Sequence, residues 1–131
     1  KMMSRLLGID FGLKRIGVAI TDEKRQFAFP YDVMENDSGT IRKISVLVKK
    51  EKIKKIILGL PLNPQGAPNP ILKKAEKFKE KLEKIAKIPV AFESEVFTTK
   101  EAERIQGKHK KIDASAAALI LKSYLERTSQ P

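Results

Sequence analysis

The chain has no cysteine, no tryptophan and a single histidine among its 131 residues. Without cysteine there are no disulfides and no thiolate metal sites, and a cytoplasmic location becomes the expectation. No Ser/His/Asp or Cys/His set can be assembled, and no Walker loop is present. Aromatic residues are only 6% of the chain, too few for broad base stacking, so any nucleic acid would be held through its phosphates. No apolar run approaches the roughly 18 to 20 residues of a membrane span. The segment "KMMSRLLGID" has neither a long apolar stretch nor a small-residue cleavage site, so no signal peptide is expected.

Acidic residues are also in deficit. Lys and Arg number 27 against 16 Asp and Glu, a net charge of +11. Such a surface attracts polyanions, and nucleic acid is the commonest one in a cytosol. The plainer alternative is the lysine-rich surface of a heat-adapted protein, since Lys and Glu crowd together in residues 73–88. With 41% hydrophobic and 33% charged residues, residues 1–131 suit one globular domain with its own core.

Residues 5–10, 15–21 and 26–34 read as three strands. The turn "FGLK" makes a hairpin of the first two, and Pro30 argues for a bend or an edge in the third. Ile41, Ile44, Leu47 and Val48 recur at helical spacing within residues 38–53. The apolar run 54–61 suits a buried strand, and the proline-rich stretch 61–70 a loop. A helix over 71–86 carries the stripe Ile71, Leu72, Ala75, Phe78, Leu82 and Ile85. A strand at 88–92 follows. A capping box of Thr98 and Glu101 then opens a helix that stops at Gly107. "GKHKK" at 107–111 reads as a basic loop, and a last helix starts near Asp113. This order predicts an α/β fold, one mixed sheet with helices on its faces.

Three acids stand out. Asp10 ends an apolar strand, where a carboxylate is costly to bury unless it is hydrogen-bonded or meets a cation. Alone it could be a turn aspartate bonding the backbone of "FGLK". Glu95 follows the strand 88–92 and could be a solvated loop acid. Asp113 precedes "ASAAA" and could be a helix N-cap. If the first and last strands lie side by side, Asp10 and Glu95 come close, and a helix start across the same edge adds Asp113. Three oxygen ligands suit Mg²⁺ or Mn²⁺. Two such ions would serve an in-line displacement at phosphorus. His109, in the basic loop, reads as a solvated or phosphate-contacting residue. Gly59, before "LPLN", could approach a phosphate but reads more simply as a turn residue.

"GIDFGLKRIGVAITD" at 8–22, "LGLPLNPQG" at 58–66, "ESEVFTTKEAE" at 93–103 and "KIDASAAALILKSYL" at 111–125 together resemble the YqgF family, also called RuvX. The resemblance spans nearly the whole chain. It implies an RNase H-like (RuvC-like) five-stranded mixed sheet with helices on both faces. It also implies a bacterial, cytoplasmic, metal-dependent nuclease that matures the 5′ end of pre-16S rRNA. The catalytic and metal-binding acids would be Asp10, Glu95 and Asp113, with Mg²⁺ or Mn²⁺ as cofactor and two ions once substrate is bound. Lys14 and Arg15 match the Lys-Arg pair of the first motif, near the scissile phosphate. Lys108, His109, Lys110 and Lys111 join them as candidate nucleic-acid contacts.

The family commonly reads D-E-R-L-T-T where this chain has Ser94, Glu95, Val96, Phe97, Thr98 and Thr99. RuvC resolvases add a fourth acid three residues after the last, where this chain has Ala116. Glu93 is a possible substitute for Glu95. Four-way DNA junctions are the rival substrate, and they need a symmetric dimer; the sequence allows a monomer or a homodimer. A noncatalytic nucleic-acid-binding module is a second class. An actin-like or sugar-kinase ATPase is a third, which 131 residues are too few to house.

Overall fold

The computed structural model describes residues 4–60, 70–94 and 109–128. Strands β1 (Arg5–Phe11), β2 (Arg15–Thr21) and β3 (Ala28–Glu35) form a meander. Helix α1 (Thr40–Lys50), strand β4 (Ile53–Leu60), helix α2 (Pro70–Ala86) and strand β5 (Val90–Ser94) follow, then helix α3 (His109–Thr128). The five strands form one mixed sheet in the order β3-β2-β1-β4-β5. Antiparallel pairs join β1 to β2 and β2 to β3, and parallel pairs join β1 to β4 and β4 to β5.

The strands beside the meander arrive by helical crossovers, which is why they are parallel. Their central members are apolar almost throughout because helices cover both faces. On one face Leu7, Ile9, Ile16, Ile56 and Leu58 pack against Ile44, Leu47, Phe78 and Leu82 of α1 and α2. On the other, Leu6, Ala19 and Ile57 pack against Ala117, Ile120 and Leu121 of α3. The expected mixed sheet with helices on both faces is therefore present. No described helix is long and apolar enough to cross a membrane.

Four expectations need correction. The first and last strands are not neighbours, because the crossover through α1 seats β4 beside β1 and pushes β5 one strand out. Gly59 is not in a turn but within β4, paired with Asp10 and Glu93. His109, Lys110 and Lys111 belong to α3 rather than to a loop, as lysine's high helix propensity permits. Ile85 is 54% exposed, because it sits at the rim of the α2 stripe. The loop at 61–70 lies outside the described residues up to residue 69, as does the helix expected from Thr98 to Gly107.

Pro30 combines both expected outcomes. It lies on the edge strand β3, and the pairing steps from Val18↔Asp32 to Ala19↔Pro30, so Tyr31 bulges out where proline has no N–H to offer.

Two carboxylates tie turns together and give the fold an acid limit. Asp22 accepts 2.8 Å hydrogen bonds from the N–H groups of Phe27 and Gln26. These bonds, Phe27's foremost, hold its carboxyl below the ordinary 3.8 against an opposing desolvation. Glu83 accepts from the Val90 N–H at 3.2 Å and from Lys79 Nζ at 3.2 Å. Val90 foremost holds it below 4.5, again against desolvation. Each group binds its proton more weakly folded than unfolded, so its stabilisation exists above the unfolded value and fades as pH falls through the folded one. Urea midpoints should therefore drop as pH falls below about 4.5, and Asp22→Ala with Glu83→Gln should flatten that limb. An unaltered acid limb in the double variant would remove these two groups as its cause.

Candidate active site

Asp10, the sixth residue of β1, is partly exposed near the strand's C-terminal end. Its partner on β2 is Gly17 and its partner on β4 is Gly59, which in turn pairs with Glu93 of β5. Residues in one such row share a face. Gly17, Asp10, Gly59 and Glu93 thus form a single line across four strands, and neither neighbour of Asp10 brings a side chain to it. The sequence contained both glycines, but only the register shows that they flank Asp10.

This is the face covered by α3. A Cβ built on Gly8 would lie 2.5 Å from Leu121 Cγ and 2.9 Å from the Ala117 carbonyl oxygen. Only glycine lets the helix come so close. Farther along, Lys55 Nζ donates to the Tyr124 hydroxyl at 2.9 Å, and Lys55 pairs with Leu6. Helix numbers therefore fall as β1 numbers rise.

Glu93, 8% exposed, is held from α3. Arg127 Nη2 donates to its Oε1 at 2.5 Å and Ser123 Oγ to its Oε2 at 3.3 Å. That hydrogen bond and the carboxylate's charge push the Arg127 guanidinium up from its ordinary value. Glu93 therefore anchors α3 to the edge strand through these bonds.

Glu95 lies outside the described residues, as does Lys108. Asp113 is the fifth residue of α3, so it is not the helix N-cap; its side chain, and those of His109, Lys110 and Lys111, lie outside the described residues. Ala116, where a fourth acid would stand, is 2% exposed and packed. Among the described residues no three His, Cys, Asp or Glu side chains form a metal-binding group.

Lys14 is exposed in the β1–β2 turn and Arg15, half-buried, begins β2. A Cβ on Gly12 would lie 2.5 Å from the Arg15 carbonyl oxygen, so the turn is as tight as glycine allows. Asn36 pins it from the other side: its side-chain amide donates to the Gly12 carbonyl at 2.7 Å and its N–H to the Lys14 carbonyl at 2.9 Å.

Residues 4–127 match the model of a family described as RuvX, Holliday junction resolvase. The chain belongs to the RuvX family. A Sulfurihydrogenibium relative is 39% identical over 97% of this chain and 93% of its own length. One from Caldanaerobacter subterraneus is 41% identical over 93% and 96%. Both carry the name "Putative pre-16S rRNA nuclease". Among solved structures, Thermus thermophilus RuvC in complex with a Holliday junction substrate aligns over 95% of both chains, with a TM-score of 0.59 and 15% identity. Fowlpox virus resolvase with Holliday junction DNA aligns over 96% of this chain and 99% of its own, with a TM-score of 0.60 and 14% identity. At those identities the likeness is one of fold: this RuvX chain has the RNase H-like architecture of the RuvC resolvases.

Proposed function

We propose that this RuvX chain is a metal-dependent endonuclease that processes the 5′ end of pre-16S rRNA in the bacterial cytoplasm. The observation that carries it is Asp10 at the end of the central strand, between two glycines and beneath α3. Ala117 lies against Gly8. One helical turn before Ala117 is Asp113, about 6 Å along the axis. Two residues beyond Gly8 is Asp10, about 6.6 Å along the strand in the same direction. The two acids thus belong to one end of the sheet, the end at which β5 also finishes, and Glu95 is the next residue in the sequence.

Carboxylates alone make up this donor set, which suits hard divalent ions such as Mg²⁺ or Mn²⁺. Asp10, Asp113 and Glu95 would hold the ions, two of them once the phosphate contributes its oxygens. When bound, such ions offset the phosphate charge and acidify the attacking water. Asp10 fixes where that chemistry happens, because a central strand moves less than a loop. Lys14 and Arg15, at the same end of the sheet, hold the scissile strand by its phosphates, as do the basic residues Lys108 to Lys111. The names of the full-length relatives support RNA as the substrate. The family's description, and the junction bound by fold neighbours, support four-way DNA as the second reading, which would require a homodimer in place of a monomer.

The test is cleavage of labelled precursor rRNA and of a synthetic four-way junction in Mg²⁺, Mn²⁺ or EDTA. RNA cut only with metal is the expected result. Cutting of the junction alone would transfer the chain to the second reading. Binding of either without cutting would leave a noncatalytic module.

A further inference from the structure

On the face opposite α3, a groove of about 680 Å³ runs between the start of α1 and the length of α2. Lys74, Lys77, Lys81 and Lys84 line one wall and Arg42 the other. Steps of three and four residues place the four lysines on one side of α2 along about 15 Å. Glu76, Glu80 and Glu83 fall about a third of a turn away, and Glu83 takes Lys79, not a groove lysine, as its partner at 3.2 Å. Among the described residues none of the five groove cations is in an ion pair. The one acid in the wall, Asp37, accepts the Gly39 N–H at 2.9 Å and meets Thr40 Oγ1 at 3.4 Å, which turns it inward to the start of α1. Four of the six lysines of α2 face the groove, and none of its three acids lines it.

The floor is apolar. Phe11 and Phe78 meet there with ring centroids 5.1 Å apart. Leu13 and Ile85 at the rim are 48% and 54% exposed. The groove also abuts the site: Phe11 follows Asp10 in β1 on the opposite face, and Leu13 precedes Lys14 in the turn pinned by Asn36.

We propose that this groove holds the single-stranded RNA that flanks the cleaved bond. Its phosphates lie along the lysine wall, and its ribose and base faces cover Leu13 and Ile85. Four cations in line and one facing them complement a polyphosphate backbone. Uncovered apolar residues at the rim select a single strand, because a duplex hides its base faces in the stack. The strand enters over the β1–β2 turn past Lys14, so the reacting phosphate and the held flank lie on opposite sides of one sheet edge. The inference rests on the nuclease reading for its substrate.

Binding of a fluorescent single-stranded RNA is to be measured in EDTA against salt for the full chain, for Lys77→Glu/Lys81→Glu, and for Lys50→Glu/Lys54→Glu. The last pair makes the same charge change at the far end of α1 and β4. The groove variant should bind at least about tenfold more weakly, with a log–log salt slope shallower by about 1.4, the share of two phosphates on a single strand. The control should depart little from the parent chain. Equal weakening in both variants, or tighter binding of a fully paired RNA of the same length, would overturn the groove. Cleavage by the parent chain in Mg²⁺ and Mn²⁺ is scored in parallel. A parent chain that never cuts, with the groove variant still selectively weakened, defeats the nuclease reading and leaves the groove standing.

Discussion

Asp10→Asn is expected to lower cleavage of the RNA substrate at least about a thousandfold, close to 4 kcal/mol of transition-state stabilisation. The melting temperature should stay within a degree or two of the parent chain's, by the rule that changes outside the packed core cost little. The two effects separate because of where the side chain stands. Asp10 is partly exposed and has glycine on either side, and asparagine, of nearly the same shape, keeps its volume and one of its acceptor oxygens. What it removes is the negative charge that a cation requires. RNA binding measured in EDTA should hardly change, since phosphate affinity comes from lysines and arginines elsewhere. Full activity in this variant, with metal-dependent cleavage by the parent chain, would move the reaction centre away from the end of β1.

Gly8→Ala should fail in the opposite way, through the fold. The added methyl would stand 2.5 Å from Leu121 Cγ and 2.9 Å from the backbone of Ala117. A leucine tip can swing aside, but a helix carbonyl cannot, so α3 must lift from the sheet. Overpacking of this kind costs about 1–3 kcal/mol, a fall of roughly 3–10 °C in Tm for a chain of this size. Cleavage should fall as well, even well below the melting point. The lifted helix carries Asp113, and a misplacement of about 1 Å can cost about a hundredfold in rate. Leu121→Ala, itself destabilising at a fully buried position, should cost less in the Gly8→Ala background than in the parent chain, because there it also clears one of the two clashes. Wild-type melting by Gly8→Ala alone would mean that α3 does not rest on β1 as closely as described.

Much of this architecture was legible in the chain itself, and for identifiable reasons. The meander, α1 and α2 announce themselves because each is defined by neighbours in sequence: a tight "FGLK" turn, an apolar run, a 3.6-residue stripe. Their observed bounds differ from the expected ones by a residue or two at most termini, the fraying that caps and tertiary contacts decide. The position of β5 was not legible, because strand order depends on which way each crossover turns and no local pattern records it. For the same reason Gly59 looked like a turn residue. A glycine two residues before a proline punctuates a sequence in the same way whether it ends a strand or lies beside a carboxylate of the neighbouring strand. The hold of Arg127 on Glu93 is not legible because the two lie 34 residues apart, and α3 begins four residues before the expected start because its Lys-rich first turn reads equally well as loop. The Lys/Glu crowding of residues 73–88 conceals an order that only the helix reveals, four lysines of α2 lining the groove and its acids lying outside it.

The close seat of α3 on Gly8 also bears on how the protein is made. Synthesis delivers the meander first and α3 after every strand of the sheet. Until then one side of the sheet, with Leu6, Ala19 and Ile57, has nothing to cover it, and the growing chain is a sticky, half-clothed sheet at the ribosome's exit. The segment that cures this exposure is the one that carries Asp113. With Asp113 in the proposed site, covering the sheet and completing the acid set become a single docking event, so a product interrupted before α3 is left both exposed and unfinished.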